Sequence, residues 1–287
     1  MPELGIILAL VSAIGANIAF LCKHRGANRA PAVRFSHPLT SARDLFASKW
    51  WAIGFALATA AWGFHVAAIT LAPLSLVQAV MAGGLALLAI PAQMWFRIKL
   101  GWREWTGLAL SAAGLALLAI TADTSHSHST YSLAGLVAFE GAAIAIGASL
   151  LLHGTRGGHH TSRDGVLFGA AAGVLIGVSN VAIKALSGDV PGDLLAILSP
   201  WTLVAVAAGV ASFFGLARGL QLGAAIQVIA LSSIAANVAA IVGGVIVFGD
   251  PVGADVLGII ARSAAFAAVI AAAALLPAPR TPRPAAV

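Results

Sequence analysis

The sequence predicts an all-α, polytopic integral membrane protein, and three observations lead to this prediction. Hydrophobic residues make up 60% of the 287 residues and charged residues only 9%, whereas about a quarter of an ordinary soluble domain is charged. The mean hydropathy is +0.97. The apolar residues also fall in runs close to the ~20 residues that a helix needs to cross a bilayer. So few charges cannot cover the surface of a soluble protein of this length.

Nine apolar runs are predicted to be transmembrane spans, numbered here in chain order. They cover residues 4–22, 50–70, 74–96, 105–121, 132–153, 165–186, 201–219, 224–248 and 254–276. The connections between them are too short for a soluble catalytic domain. We therefore expect a single transmembrane domain over 1–287, with 277–287 forming a cytoplasmic tail.

The basic residues predict the orientation of these spans. If the chain crosses nine times, one side carries Lys23, Arg25, Arg29, Arg34, Arg43, Lys49, Arg97, Lys99, Arg103, Arg156, Arg163, Arg218, Arg280 and Arg283. The other side carries Glu3 and five aspartates, with Lys184 at a helix end. Since Lys and Arg accumulate in cytoplasmic connections, we predict a multi-pass protein of the plasma membrane with its N-terminus outside and its C-terminus in the cytoplasm. The same placement explains the sequence pI of about 10.5 without a nucleic-acid partner.

A weak internal repeat accompanies the spans. Shifting the chain by 151 residues matches Trp50 with Trp201, Leu71 with Leu222, Val77 with Val228, Ile90 with Ile241 and Gly107 with Gly258. The shift covers five spans, an odd number, so the copies would be inverted in the membrane. We predict repeat 1 over about 4–121 (spans one to four), a linking helix over 132–153, and repeat 2 over about 165–276 (spans six to nine). Inverted repeats are typical of secondary transporters, whose site lies between the repeats.

Four short segments carry a resemblance to a known family. They are LCKHRG at 21–26, KWW at 49–51, LAPLSLVQA at 71–79 and GLALSAAG at 107–114. This set resembles the drug/metabolite transporter (DMT, EamA-like) superfamily and, within it, the NIPA-like branch, which is associated with Mg²⁺ transport. The resemblance implies a single-domain helical transporter with nine spans and an outside N-terminus.

The chain departs from that branch in the second span. NIPA-like proteins usually carry a Gly-Glu pair and an Asn there, and the corresponding positions hold Ala61, Trp62 and His65. Magnesium prefers oxygen ligands, usually with one or two carboxylates. The missing carboxylate therefore favours a small organic solute over Mg²⁺ as the cargo.

Two charged residues within the spans are the first candidate site residues. Charges inside a bilayer are costly, and they are functional hypotheses by default. Glu140 and Arg262 each lie eight residues from the predicted outer end of their span, which is about 12 Å at 1.5 Å per residue. We expect them to meet, either as a structural clamp or as a functional pair. In the second case Glu140 takes a coupling proton, or Arg262 holds an anionic group of the substrate.

Four further polar or aromatic residues within the spans are candidates for substrate or proton binding. His65 is either a proton-responsive group or a satisfied interior histidine. Trp62, one helical turn away, either lines a cavity or packs. Asn17 and Asn180 occupy comparable places in the two repeats, where each could bind substrate or join helices.

The predicted function is a permease that moves a small organic solute by alternating access, with proton coupling through Glu140 and His65 as a hypothesis. The alternatives are a NIPA-like divalent-cation transporter and a non-transporting membrane scaffold. The chain has no G-x-x-x-x-G-K-[ST] motif for ATP phosphates. No catalytic residue, cofactor or resident metal site is expected. The expected partners are the bilayer and a small-molecule or ion substrate, and the sequence leaves monomer and homodimer open.

Overall fold

Only helices and their connections occur in the residues that the computed structural model describes, which are 2–71, 80, 89–94, 101–121, 131–156, 161–189, 198–249 and 256–275. The helices are α1 (Pro2–Ala27), α2 (Pro38–Ala47), α3 (Lys49–Leu71), α4 (Ala89–Met94), α5 (Trp102–Thr121), α6 (Leu133–Arg156), α7 (Ser162–Asp189), α8 (Pro200–Leu222), α9 (Ala225–Phe248) and α10 (Val256–Leu275). This agrees with the predicted all-α class.

Five helices in the described part of the chain are long and apolar enough to cross a bilayer, namely α1, α6, α7, α8 and α9. The protein is therefore a multi-pass membrane protein. Three more helices, α3, α5 and α10, overlap the second, fourth and ninth predicted spans. Most of the third predicted span lies outside the described residues, so the count of nine stays a prediction.

Helix α2 occupies the first connection, where the sequence predicts only a link between spans. Pro38 lies in its first turn, a position where the missing proline N–H costs no hydrogen bond. Ser41 and Leu45 form its buried face, and they are four residues apart, as one face of a helix requires. The Ser41 hydroxyl accepts a hydrogen bond from the Arg34 N–H (3.0 Å) and donates one to the Arg34 carbonyl (3.2 Å). These bonds fix the turn that precedes α2.

Two helix pairs, α1 with α3 and α7 with α8, are closely packed and are joined by similar hydrogen bonds. The Ser12 hydroxyl of α1 donates to the Ala61 carbonyl of α3 at 2.7 Å. The Ser212 hydroxyl of α8 donates to the Ala172 carbonyl of α7 at 2.8 Å. The two contacts are related by constant residue offsets: adding 160 to Ser12 gives Ala172, and adding 151 to Ala61 gives Ser212. In both pairs a serine therefore bonds at positions related by these two offsets, although it sits on opposite partners; the inverted repeat itself stays a prediction.

The same two offsets relate a second pair of contacts. A Cβ on Gly54 of α3 would lie 2.8 Å from the Ala19 carbonyl of α1, so these backbones nearly touch. With the same offsets, Ala19 corresponds to Ser179 and Gly54 to Ala205. The Ser179 hydroxyl donates to the Ala205 carbonyl at 2.9 Å. Because 160 exceeds 151 by nine, the first pair has nine more residues between corresponding positions of its two helices than the second. That excess is close to the length of α2, which has 10 residues.

A stripe of four glycines lies along α7, at positions 165, 169, 173 and 177. Added Cβ atoms would meet the α8–α9 turn at Gly165, the Val228 carbonyl at Gly169 (3.0 Å), the Ser232 carbonyl at Gly173 and the Ala239 side chain at Gly177. Small residues four apart let two helices approach until their backbones touch. The stripe therefore fixes α9 against α7, which also packs against α6 and α8.

Candidate functional site

Glu140 is buried in the interior of the protein. It lies on the face of α6 that also carries Leu136, Phe139 and Ala143, because positions three and four apart share one side of a helix. The glutamate is only 3% exposed. Both carboxyl oxygens are buried, and neither has a hydrogen-bond partner among the described residues.

The walls around Glu140 come from α7 and α9, against which α6 packs. Gly147 of α6 lies against Leu175 of α7, and Gly154 lies against Phe168, so the two helices run antiparallel. Continuing this register places Glu140 level with Ala182, which is fully buried. The neighbouring core consists of apolar residues: Leu136, Phe139, Ala143, Leu175, Val178, Val181, Ala185 and Ala239.

An unpaired carboxylate in such surroundings is electrostatically unfavourable. Removing an ion from water costs several kcal/mol when no partner compensates, and buried polar groups in proteins are normally hydrogen-bonded. Glu140 is stable there when it carries a proton or when a cation lies against it. The side chain is therefore suited to binding a positively charged species, either a proton or a metal ion.

The predicted contact between Glu140 and Arg262 gets no support from the helix packing. Arg262 belongs to α10, which packs along α5, whereas α6 packs along α7 and α9. In the described residues α6 and α10 have no extensive contact. Since the side chain of Arg262 lies outside what the structure describes, its role stays a prediction.

The three residues of the second span that replace the Gly-Glu pair and the Asn of NIPA-like proteins have different surroundings. Ala61 is buried against α1, where its carbonyl accepts the Ser12 bond. Trp62 is 67% exposed. His65 is half-buried, and its Nδ1 atom has no hydrogen-bond partner among the described residues. Because α3 does not pack closely against α6, the structure does not bring His65 next to Glu140.

The two asparagines differ in their surroundings. Asn17 is buried in α1 at 7% exposure, and Asn180 is exposed on α7. With the offset of 160 that relates α1 to α7, Asn17 corresponds to Gly177 rather than to Asn180. By this offset the two amides lie three residues apart, nearly one helical turn, and their comparable placement stays a prediction.

The connection after α1 is fastened to the end of α8, and sequence reasoning missed this contact. The amide nitrogen of Gln221 donates to the carbonyls of Ala27 (3.0 Å) and Pro31 (2.9 Å). Its amide oxygen accepts from the Val33 N–H at 3.0 Å. Asn28 donates to the Leu220 carbonyl at 3.3 Å. We call these contacts the Gln221 seam; they join the α1–α3 pair to the α7–α8 pair.

Aromatic side chains pack against each other beside the Gln221 seam. The ring of Phe213 on α8 lies 5.5 Å from Trp51 and 6.3 Å from Phe46, measured between ring centroids. Phe214 lies 5.1 Å from Phe213. Trp51 is 1% exposed. At this end, where α1 ends and α3 begins, the two helix pairs are therefore held together by apolar packing as well as by hydrogen bonds.

Replacing Gln221 with alanine is expected to loosen the seam. Four hydrogen bonds disappear, three to the connection after α1 and one from Arg218 at 3.3 Å. At ~1 kcal/mol each, the free energy of unfolding falls by about 2–4 kcal/mol. Cys22 is the single cysteine of the sequence and is 4% exposed, so its reaction with a maleimide reports on opening at this end. We expect faster labelling in Gln221→Ala. Asn237→Ala is the control, since within the described part of the chain that amide bonds to its own helix, at the Ser233 carbonyl (2.8 Å). Equal labelling rates in both variants would contradict the role of the seam.

Comparison with known proteins gives one informative similarity. The chain is 24% identical over 256 residues to a protein of Arabidopsis thaliana described as a probable magnesium transporter NIPA9, covering 85% of this chain and 73% of the relative. No family model matches the chain, and no solved structure matches it. The similarity, together with the apolar helices, supports a membrane transporter.

Proposed function

We propose that the protein transports a divalent cation, with Mg²⁺ as the first candidate, and that the Glu140 carboxylate contacts the cation during transport. The observation that carries this proposal is the buried carboxyl group of Glu140, which has no partner among the described residues. The name of the Arabidopsis relative supports the same class of cargo. This reverses the preference for an organic solute that the sequence alone suggested.

The missing carboxylate of the second span does not exclude Mg²⁺. Magnesium keeps several waters and is usually bound through only one or two carboxylates. Glu140 supplies one such group from α6 instead of α3. In a bilayer interior an intramembrane carboxylate is most easily retained when it pairs with a cation.

The proposed mechanism is alternating access between two inverted repeats. Two features support it: the matching contacts of α1–α3 and α7–α8, and the packing of α5 on α10, which belong to the fourth and ninth predicted spans. Pseudo-symmetric halves that rock against each other are common in secondary transporters, and Glu140 lies on the linking helix α6 where it packs against repeat 2. In this mechanism the Gln221 seam is a closed gate at the end we assign to the cytoplasm.

A second candidate, transport of an organic solute, is favoured by one observation. Trp62 is 67% exposed where NIPA-like proteins usually carry a glutamate, and aromatic rings are common linings of sites for organic molecules. In this case Glu140 would carry the coupling proton. A pH gradient would then drive uptake, whereas cation transport driven by the membrane potential would not require it.

Growth of a Mg²⁺-requiring bacterial strain tests the proposal. We expect the wild-type gene to restore growth in low Mg²⁺ and the Glu140→Gln gene to leave it unrestored at equal membrane expression. A thermal-shift screen of divalent cations and organic cations on the purified protein separates the two candidates. Stabilisation by an organic solute, and by no divalent cation, would replace the first candidate with the second.

A further inference from the structure

The segment from the end of α1 to the first residue of α3 combines many basic residues with a single acidic one. Residues 23–49 contain one acid, Asp44, and six basic residues, which are Lys23, Arg25, Arg29, Arg34, Arg43 and Lys49. Clusters of four to eight Lys and Arg beside a transmembrane helix attract anionic lipids at about 1 kcal/mol per residue. The charge of this segment therefore complements an anionic membrane surface.

Exposed apolar side chains lie beside these charges. Leu39 is 86% exposed and Phe46 is 44% exposed, and because they are seven residues apart, two helical turns, they share one face of α2. The Phe46 ring meets that of Phe55 on α3 at 5.2 Å between centroids. Phe55 and Ile53 are 42% and 50% exposed on α3, a helix that overlaps a predicted span. The apolar face of α2 thus continues the surface that α3 presents to lipid.

An open cavity of about 410 Å³ lies between residues 29–31, the C-terminal part of α2 and the start of α3. Its lining includes Arg29, Lys49, Ser48 and Trp50, with Asp44 as the one acid. Two cations and a hydroxyl in one lining are together suited to binding phosphate oxygens.

We propose that this cavity binds the head-group phosphate of an anionic phospholipid, while α2 lies in the membrane interface with Leu39 and Phe46 among the acyl chains. Amphipathic helices adopt this position in membranes; here the cations come from Arg29 and Lys49 beside α2, because α2 itself carries one Arg and one Asp. A lipid fits better than a free phosphate because the exposed Phe46 directly precedes Ala47, which lines the cavity. This proposal does not depend on the identity of the transported cargo.

Lipid binding to the purified full-length protein, measured by native mass spectrometry, tests the proposal. Phosphatidylglycerol, phosphatidylcholine and inorganic phosphate are compared as probes on the wild type, on Arg29→Gln/Lys49→Gln and on the control Arg103→Gln/Arg163→Gln. The two double variants have the same net charge, and Arg103 and Arg163 are exposed residues outside the cavity. We expect preferential binding of phosphatidylglycerol, roughly thirtyfold weaker in the cavity variant and unchanged in the control.

Three results would overturn the proposal. Equal weakening in both double variants would indicate non-specific attraction by charge. Equal binding of phosphatidylcholine would exclude recognition of an anion, and equal binding of inorganic phosphate, with no preference for the lipid, would indicate a free-anion site.

The position of α2 can be tested separately, without altering the cavity. A nitroxide at Leu39→Cys in a Cys22→Ala background should be more accessible to oxygen than to a water-soluble nickel complex. The opposite order would contradict placement of α2 in the membrane interface, whatever the cavity variants do.

Discussion

Glu140→Gln is expected to reduce Mg²⁺ uptake by more than about 100-fold while leaving the protein folded. Loss of the outer partners of a metal ligand already costs 10–100-fold in metal affinity, and this change removes the charge itself. The free energy of unfolding should stay equal or rise, because the glutamine cannot carry the unpaired charge that the buried glutamate can. Uptake in cells and thermal unfolding of the purified variant measure the two effects.

Glu104→Gln provides the matched control for this prediction. Glu104 makes a hydrogen bond near the surface, accepting the Gly101 N–H at 2.9 Å, so its neutralisation should leave uptake near the wild-type rate. Glu140→Asp keeps the charge but shortens the side chain, and it should retain part of the activity. Uptake at the wild-type rate in Glu140→Gln would exclude the carboxylate from the transport site. If the protein is instead a scaffold, Glu140→Gln changes its stability, and neither the wild type nor the variant transports Mg²⁺.

Gly173→Val is expected to have the largest effect on stability. A Cβ at this position would overlap the Ser232 carbonyl and lie 2.8 Å from the Ala235 side chain, so α9 must move away from α7. Overpacking of this kind costs typically 1–3 kcal/mol and occasionally more; since the obstacle is backbone, we expect about 3 kcal/mol or more. Unfolding of the purified protein by heat or by increasing SDS measures the loss.

The control for Gly173→Val is the same substitution at Gly141. Gly141 lies on α6, and a Cβ at this position would have no heavy atom within 4 Å outside its own segment of helix. The stability of Gly141→Val should therefore stay close to that of the wild type. Similar losses at the two positions would show that valine destabilises these helices generally, and that the glycine stripe has no special role.

The helices were the most predictable feature of the fold because long apolar runs determine them. The eighth predicted span, 224–248, differs by one residue from α9, Ala225–Phe248. Helix α2 was not predicted, because its ten residues have only a short apolar face and do not resemble a transmembrane span. The contact face of α7 could have been found from the sequence, where glycine recurs every fourth residue from 165 to 177.

The site was only partly predictable. Glu140 stands out in the sequence as a charge within an apolar run, and the structure places it in the interior. The expected contact with Arg262 rests on matching depth in the membrane, and depth does not determine which helices are neighbours. Which helices become neighbours depends on packing between segments that are distant in sequence, such as the glycines of α7 against α9. The Gln221 seam was missed because its groups lie about 190 residues apart.

Mg²⁺ flux into proteoliposomes is the most direct test of the central claim, that this protein transports a divalent cation through contact with Glu140. Purified wild-type protein and Glu140→Gln are reconstituted at equal density around an entrapped Mg²⁺ indicator, with a membrane potential and no pH gradient. We predict saturable uptake by the wild type and a rate near that of empty liposomes for the variant. Equal rates in the wild type and the variant, or no uptake by the wild type until a pH gradient and an organic solute are supplied, would contradict the claim.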